Sequence, residues 1–157
     1  MNRNFKYLVF VLLIVGEILI NLYVREFRLN LDLLYLILVY ISIKSGFIKS
    51  MAAAGVIGLI TDYLSMNVTG VFGFSRTFAA FLLHESSRRI DLKNNFFVFF
   101  MIFFSLAVSN LIANLFFLAI LSYPLSLRLI LVQPLLTGVV GIVIASSKKA
   151  KGYLDVY

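Results

Sequence analysis

The chain's 157 residues are 62% hydrophobic and 13% charged, with a mean hydropathy of +1.02. That is about half the charge a water-facing surface carries, which excludes a soluble enzyme, a nucleic-acid-binding domain, a disordered tail and a coiled coil and leaves an integral membrane protein. The net charge of +7, from 14 Lys and Arg against 7 Asp and Glu, then reports membrane topology and contact with anionic lipid headgroups. The absence of cysteine removes disulfides, thiolate nucleophiles and Cys-based metal sites, and the sole histidine, His84, cannot hold a metal alone. No cofactor is expected.

A spanning helix needs about 20 mostly apolar residues. Phe5–Val24 supplies the first, with Glu17 as its single charge. It starts behind Arg3 and Lys6 like a signal peptide, but it is too long for an h-region and no small-residue cleavage site follows, so it reads as an anchor. Leu31–Lys44 is a short second candidate, and after the turn Lys44-Ser45-Gly46 comes a third, Ile48–Leu64. The fourth, Gly70–Glu85, is interrupted by Arg76. Phe96–Leu121 runs without a charge for about 39 Å at 1.5 Å per residue and must tilt or protrude. Leu127–Ser146, containing Pro134, is the last. The pattern predicts one transmembrane domain over residues 1–157, all-α, with six spans at approximately 5–24, 31–44, 48–64, 70–85, 96–121 and 127–146.

Basic residues test the count, because cytoplasmic loops carry the excess of Lys and Arg. Arg3, Lys6, Lys44, Lys49, Arg88, Arg89, Lys93, Lys148, Lys149 and Lys151 fall on one side, and only Arg25, Arg28, Arg76 and Arg128 on the other. Six spans with both termini in the cytoplasm follow. Arg88, Arg89 and Lys93 form a basic loop that reads as a topology signal touching anionic lipid, with a cytoplasmic partner as the sharper alternative.

Ionisable groups at membrane depth cost roughly 2.5–3.5 kcal/mol each on insertion scales, so each needs a partner or a purpose. Glu17, Asp62 and Arg76 are such groups, all in the outer half of this topology. Asp62 and Arg76 are expected to pair, orienting the hairpin between the third and fourth spans; the alternative is an outward polar pocket built from Glu17, Asp62 and Arg76. In the third span Ser50, Ala54, Gly58 and Asp62 recur every four residues, stacking small side chains on one face that a helix can approach closely. Thr137, Gly141 and Ala145 repeat the device, and Gly70 and Gly73 permit close approach at the start of the fourth span. Such faces serve packing within the bundle or a partner helix. Asn110 and Asn114 are amides in hydrocarbon and call for hydrogen bonds across helices.

Catalytic patterns are missing. Ser75 is followed by Arg76, and His84 lies at the other end of the same span, so no base reaches that hydroxyl. Asp62 lacks a second carboxylate for aspartyl hydrolysis, and no Gly-rich loop with a Lys is present for phosphate.

The run Asp32-Leu33-Leu34-Tyr35-Leu36-Ile37-Leu38-Val39-Tyr40, the turn Gly46-Phe47, the helix through Gly55 and Gly58 to Asp62-Tyr63-Leu64-Ser65, and Thr69-Gly70-Val71-Phe72-Gly73-Phe74 together resemble the rod shape-determining MreD family. The specific part is Asp32–Leu83, about a third of the chain. Thr69 stands where the family often has proline, and Arg76 where an Asn or an apolar residue is common. The resemblance implies a non-enzymatic component of the cell-elongation machinery of the bacterial inner membrane, which helps maintain rod shape by organising lateral peptidoglycan synthesis. It also implies partners: MreC, through its transmembrane and juxtamembrane segments, together with MreB, RodA and a penicillin-binding transpeptidase. It further implies a six-helix bundle similar to the substrate-binding subunits of energy-coupling-factor transporters, and with that bundle an alternative role as a vitamin-type small-molecule-binding subunit. No nucleic acid is expected as a partner.

Overall fold

Helix ends fall where the sequence offers a cap or a residue that tolerates the break. The computed structural model describes residues 15–16, 31–65, 68–89 and 94–146. The first predicted span lies outside these apart from the helical pair Val15 and Gly16, and so do Glu17 and Lys93. Helix α1 (Leu33–Lys44) opens under Asp32, whose carboxylate accepts from Tyr35 N at 2.9 Å. Ser45 is extended and ends it, and α2 (Phe47–Leu64) starts one residue later. Helix α3 (Val71–Arg89) follows Gly70, whose φ of +99° is left-handed backbone that a side chain would strain. Asn94 caps α4 (Asn95–Leu121) through Phe96 N, and Ser122, itself left-handed, closes it. A π-turn (Arg128–Val132) then leads into α5 (Gln133–Ser146).

The described residues are all-α, with no strand. Of helices α1 to α5 among the described residues, α2 and α4 are long and apolar enough to cross a membrane. Helix α3 runs to Arg89, past the predicted end at Glu85, because Glu85 and Arg89 pair one turn apart and Arg88 and Arg89 sit favourably at the negative end of the helix dipole. Arg88 and Arg89 therefore belong to a helix end and not to a loop.

The most extensive packing is between α2 and α3, followed by α3 with α4 and α4 with α5, while α1 leans on both α2 and α3. The shared core holds Leu34, Tyr35 and Leu38 of α1, Ala54 and Ile57 of α2, Ala79, Ala80 and Leu83 of α3, and Ile102 and Leu106 of α4. Phe104, Val143 and many other large apolar side chains point outward, as a lipid-facing surface requires. One end of the bundle gathers the basic Lys44, Lys49, Arg88 and Arg89; the opposite end gathers Asp32, Asp62, Gly70 and the Ser122–Leu127 connection.

The α2–α3 seam is set by backbone contact. A Cβ on Gly58 would lie 2.5 Å from both Gly73 Cα and Phe72 O, so the helices meet where neither has a side chain. A Cβ on Gly73 would make ordinary contacts only, with the Leu59 side chain at 3.5 Å and Gly55 O at 3.8 Å. Gly58→Ala is therefore expected to cost about 2–3 kcal/mol by pushing backbones apart, and Gly73→Ala less than about 1 kcal/mol. Thermal unfolding of the two purified variants in one detergent checks this; equal melting points would refute the contact.

Candidate functional site

The start of α3 presents unpaired backbone N–H groups, and Gly70 at its N-cap has no side chain to receive them. Asp62 takes that role from the end of α2. One carboxylate oxygen accepts Gly70 N at 2.8 Å and Gly73 N at 3.2 Å, and the other accepts Phe72 N at 2.9 Å. The group is 1% exposed. A buried carboxylate receiving three N–H groups at the positive end of a helix dipole is held by charge-assisted bonds, each worth more than a neutral one.

This arrangement overturns the expected Asp62–Arg76 pair. Arg76 sits more than a turn inside α3 and is also 1% exposed, and its Nη2 bonds Asp32 Oδ2 at 2.5 Å. The guanidinium lies over the Phe72 ring, 5.7 Å from its centroid. Asp32 meanwhile caps α1 through Tyr35 N, and its backbone N–H donates to Thr137 Oγ1 of α5 at 3.4 Å. The ion pair thus ties α1, α3 and α5 together. The outward pocket of Glu17, Asp62 and Arg76 is not assembled among the described residues, since Asp62 and Arg76 are buried with separate partners and Glu17 lies outside them. Arg76 Nη1 and Tyr35 Oη are the buried side-chain polar atoms left without a hydrogen bond among the described residues.

Helix α4 carries a third polar device. Asn110 Nδ2 donates to Leu129 O at 2.7 Å and to Gln133 Oε1 at 3.1 Å. The reason is Pro134. In the π-turn's i to i+5 register, shown by Gln133 N donating to Arg128 O, the N–H due at Leu129 O belongs to residue 134, which has none. Asn110 replaces it. Asn114 donates to Asn110 O in its own helix and accepts Ser126 N at 3.2 Å, fastening the connection to α4. Ser109 Oγ also donates to Ser75 Oγ, which joins α4 to α3.

Of the small-residue faces, Ser50, Ala54 and Gly58 are buried on α2, with Ser50 Oγ 2.7 Å from Ser42 Oγ of α1. Thr137 and Gly141 are buried on α5, where a Cβ on Gly141 would meet Ile102 Cδ1 at 2.6 Å; the side chain of Ala145 lies outside the described residues. These faces serve contacts within the bundle. A different face is open: Gly55 and Leu59 of α2 with Gly70, Gly73, Phe74 and Thr77 around the start of α3 line a groove of about 290 Å³. Its floor is glycine backbone, and its walls are Leu59 and Phe74, 48% and 59% exposed.

Asp32, Gly55 and Thr77 are the members that sequence reading passed over as site residues. Asp32 immediately precedes an apolar run, which is the mark of an N-cap, and shares its membrane leaflet with Arg76. Gly55 and Leu59, like Gly73 and Thr77, are spaced four apart on one helix face. No group of three or more His, Cys, Asp or Glu that could hold a metal ion occurs among the described residues.

A family model described as rod shape-determining protein MreD matches residues 1–145. Neither the curated proteins nor the solved structures contain a match.

The ion pair makes a double-variant expectation. Asp32→Asn or Arg76→Met alone leaves one buried charge uncompensated and is expected to cost about 3–5 kcal/mol, whereas Asp32→Asn with Arg76→Met should be milder than either. Thermal unfolding of the set decides the pairing, and a double variant worse than both singles would refute it. For the third device, Asn110→Leu is expected to cost about 1–3 kcal/mol by orphaning Leu129 O, and Pro134→Ala in the same chain to recover part of it by restoring a backbone donor. Melting points that fail to recover would refute the substitution of amide for proline N–H.

Proposed function

Because the chain belongs to the MreD family of rod shape-determining membrane proteins, we propose that it is a six-span, non-enzymatic scaffold of the bacterial elongation machinery that seats the transmembrane helix of MreC in the Gly55–Gly73 groove. Through MreC it would reach MreB, RodA and a penicillin-binding transpeptidase and so help organise lateral peptidoglycan synthesis. Both termini would lie in the cytoplasm, with the basic end of the bundle against anionic headgroups.

The observation that carries the reading is the groove. Within a bundle whose other small-residue faces are filled among the described residues, it is a place where glycine backbone is half-exposed to lipid, at Gly55 and Gly70 with the buried Gly73 beneath, between Leu59 and Phe74. In hydrocarbon, association depends on close packing and not on hydrophobicity, so a glycine floor is what a partner helix can use and an acyl chain gains least from. The buried polar groups are spent on holding the bundle together: Asp62 on backbone N–H groups, Arg76 on Asp32 and Asn110 on Leu129. That employment suits a scaffold better than a ligand pocket, which would turn polar side chains toward an occupant.

Filling the groove tests the proposal. A Cβ on Gly55 meets only Thr77 Oγ1, at 3.7 Å, so Gly55→Leu can extend into the groove without forcing the helices apart. Affinity purification from native membranes, with bound proteins identified by mass spectrometry, should recover a single-span partner with the wild-type chain. Recovery should fall at least tenfold with Gly55→Leu at unchanged melting temperature, and cells carrying the variant should round up. Recovery of no single-span partner by the wild type, with rod shape intact after deletion, would overturn the scaffold reading. Undiminished recovery by Gly55→Leu would overturn the groove alone.

A further inference from the structure

We infer that the start of α5 is a two-register element in which the Asn110 amide passes between two neighbouring carbonyls, letting residues 126–132 advance by one residue against the rest of α5. Pro134 leaves one carbonyl without its N–H in either register. In the observed i to i+5 register it is Leu129 O, and in an i to i+4 helix it is Ile130 O, one residue along. Asn110 has two amide hydrogens, one on Leu129 O at 2.7 Å and the other on the movable side chain of Gln133 at 3.1 Å. A donor is therefore at hand for the carbonyl orphaned in each register, and neither register leaves a bare carbonyl in hydrocarbon.

Packing does not choose between them. Arg128–Val132 contains no fully buried residue; Leu129 and Ile130 are half-buried and Leu127 and Leu131 are 70% and 51% exposed, so a one-residue rotation puts one apolar side chain of the segment where another had been. Beyond Gln133 the helix is fixed, because Thr137 is fully buried and bonded by Asp32 and Gly138 lies against the Phe99 ring. The shift carries Ser126 N off Asn114 Oδ1, and the exposed Ser122–Leu127 connection is the segment that takes it up. The element does not depend on what occupies the Gly55 groove.

The chain has no cysteine, so paired spin labels can be placed at will. Tyr63→Cys, 84% exposed on α2, with Leu131→Cys reports the segment, and Tyr63→Cys with Val143→Cys, 66% exposed, reports the body of α5. Pulsed electron–electron distance measurement on the frozen full-length chain in lipid nanodiscs captures both registers however fast they exchange. A one-residue step turns the label by about 100°, a displacement on the order of 5 Å. The Leu131 pair should show two distances and the Val143 pair one, and Pro134→Ala, which supplies the missing N–H, should leave the Leu131 pair with a single distance. One distance for the Leu131 pair in the wild type overturns the inference. So do two that persist in Pro134→Ala, or two at Val143, which would mean the whole helix moves. Pro134→Ser supplies the same donor should the alanine variant not fold.

Discussion

Hydrocarbon offers no water to an unpaired backbone group, and the start of α3 is where this constraint bears hardest. Gly70 must be glycine to turn the chain at a φ of +99°, and a glycine cannot cap the helix it introduces. Asp62 resolves the conflict by supplying from the preceding helix the oxygen atoms that position 70 lacks. Its reach is short, so α2 and α3 must meet closely, and the contact between Gly58 and the Gly73 backbone is the close approach this demands. The open groove lies beside the same contact, since Gly73, which Gly58 meets, lines it together with Gly55 and Gly70.

A second conflict of this kind, at Pro134, has a second solution of the same type. A side-chain amide on a neighbouring helix stands in for a missing backbone donor, as a side-chain carboxylate stands in for a missing cap at α3. Both lie at the end of the bundle away from Lys44, Lys49, Arg88 and Arg89. The two ends are thus made differently. At one, a carboxylate and an amide stand in for missing backbone partners; at the other, basic side chains collect near the helix ends.

Apolar runs of the right length made the helices legible, and α1 to α4 begin and end within a few residues of the boundaries that hydropathy and caps suggest, except where Glu85 and Arg89 extend α3. The family was legible from the stretch around Asp62, since the family model reaches residue 145. The partner of Asp62 was not. Pairing opposite charges in one leaflet treats side chains as the only claimants, whereas a helix start offers several N–H donors nearer to Asp62 than any guanidinium. Once those are counted, Asp32 is the carboxylate left for Arg76, and its place just before an apolar run was visible. The π-turn was hidden for a different reason. Pro134 signals a kink, but which carbonyl it orphans depends on the register, and register is a property of the folded helix pair.

Arg76 shows why a chain this apolar keeps a buried charge at all. A buried ion pair adds little to stability and can cost more than well-packed apolar residues would, and Arg76 Nη1 is not even hydrogen-bonded among the described residues. In lipid, however, one leucine-rich helix face fits another about as well as it fits acyl chains, so apolar packing does not decide which helices become neighbours. An arginine and an aspartate do, because neither can be left alone there. Asp32 and Arg76 belong to helices separated by the whole of α2, and Thr137 comes from α5, at the far end of the described chain. Their joining fixes α1 against α3 and α5 at one height. With that arrangement set, the α2–α3 hairpin turns its groove outward and its core face inward, so a polar contact between α1 and α3 decides which face of the hairpin is left open.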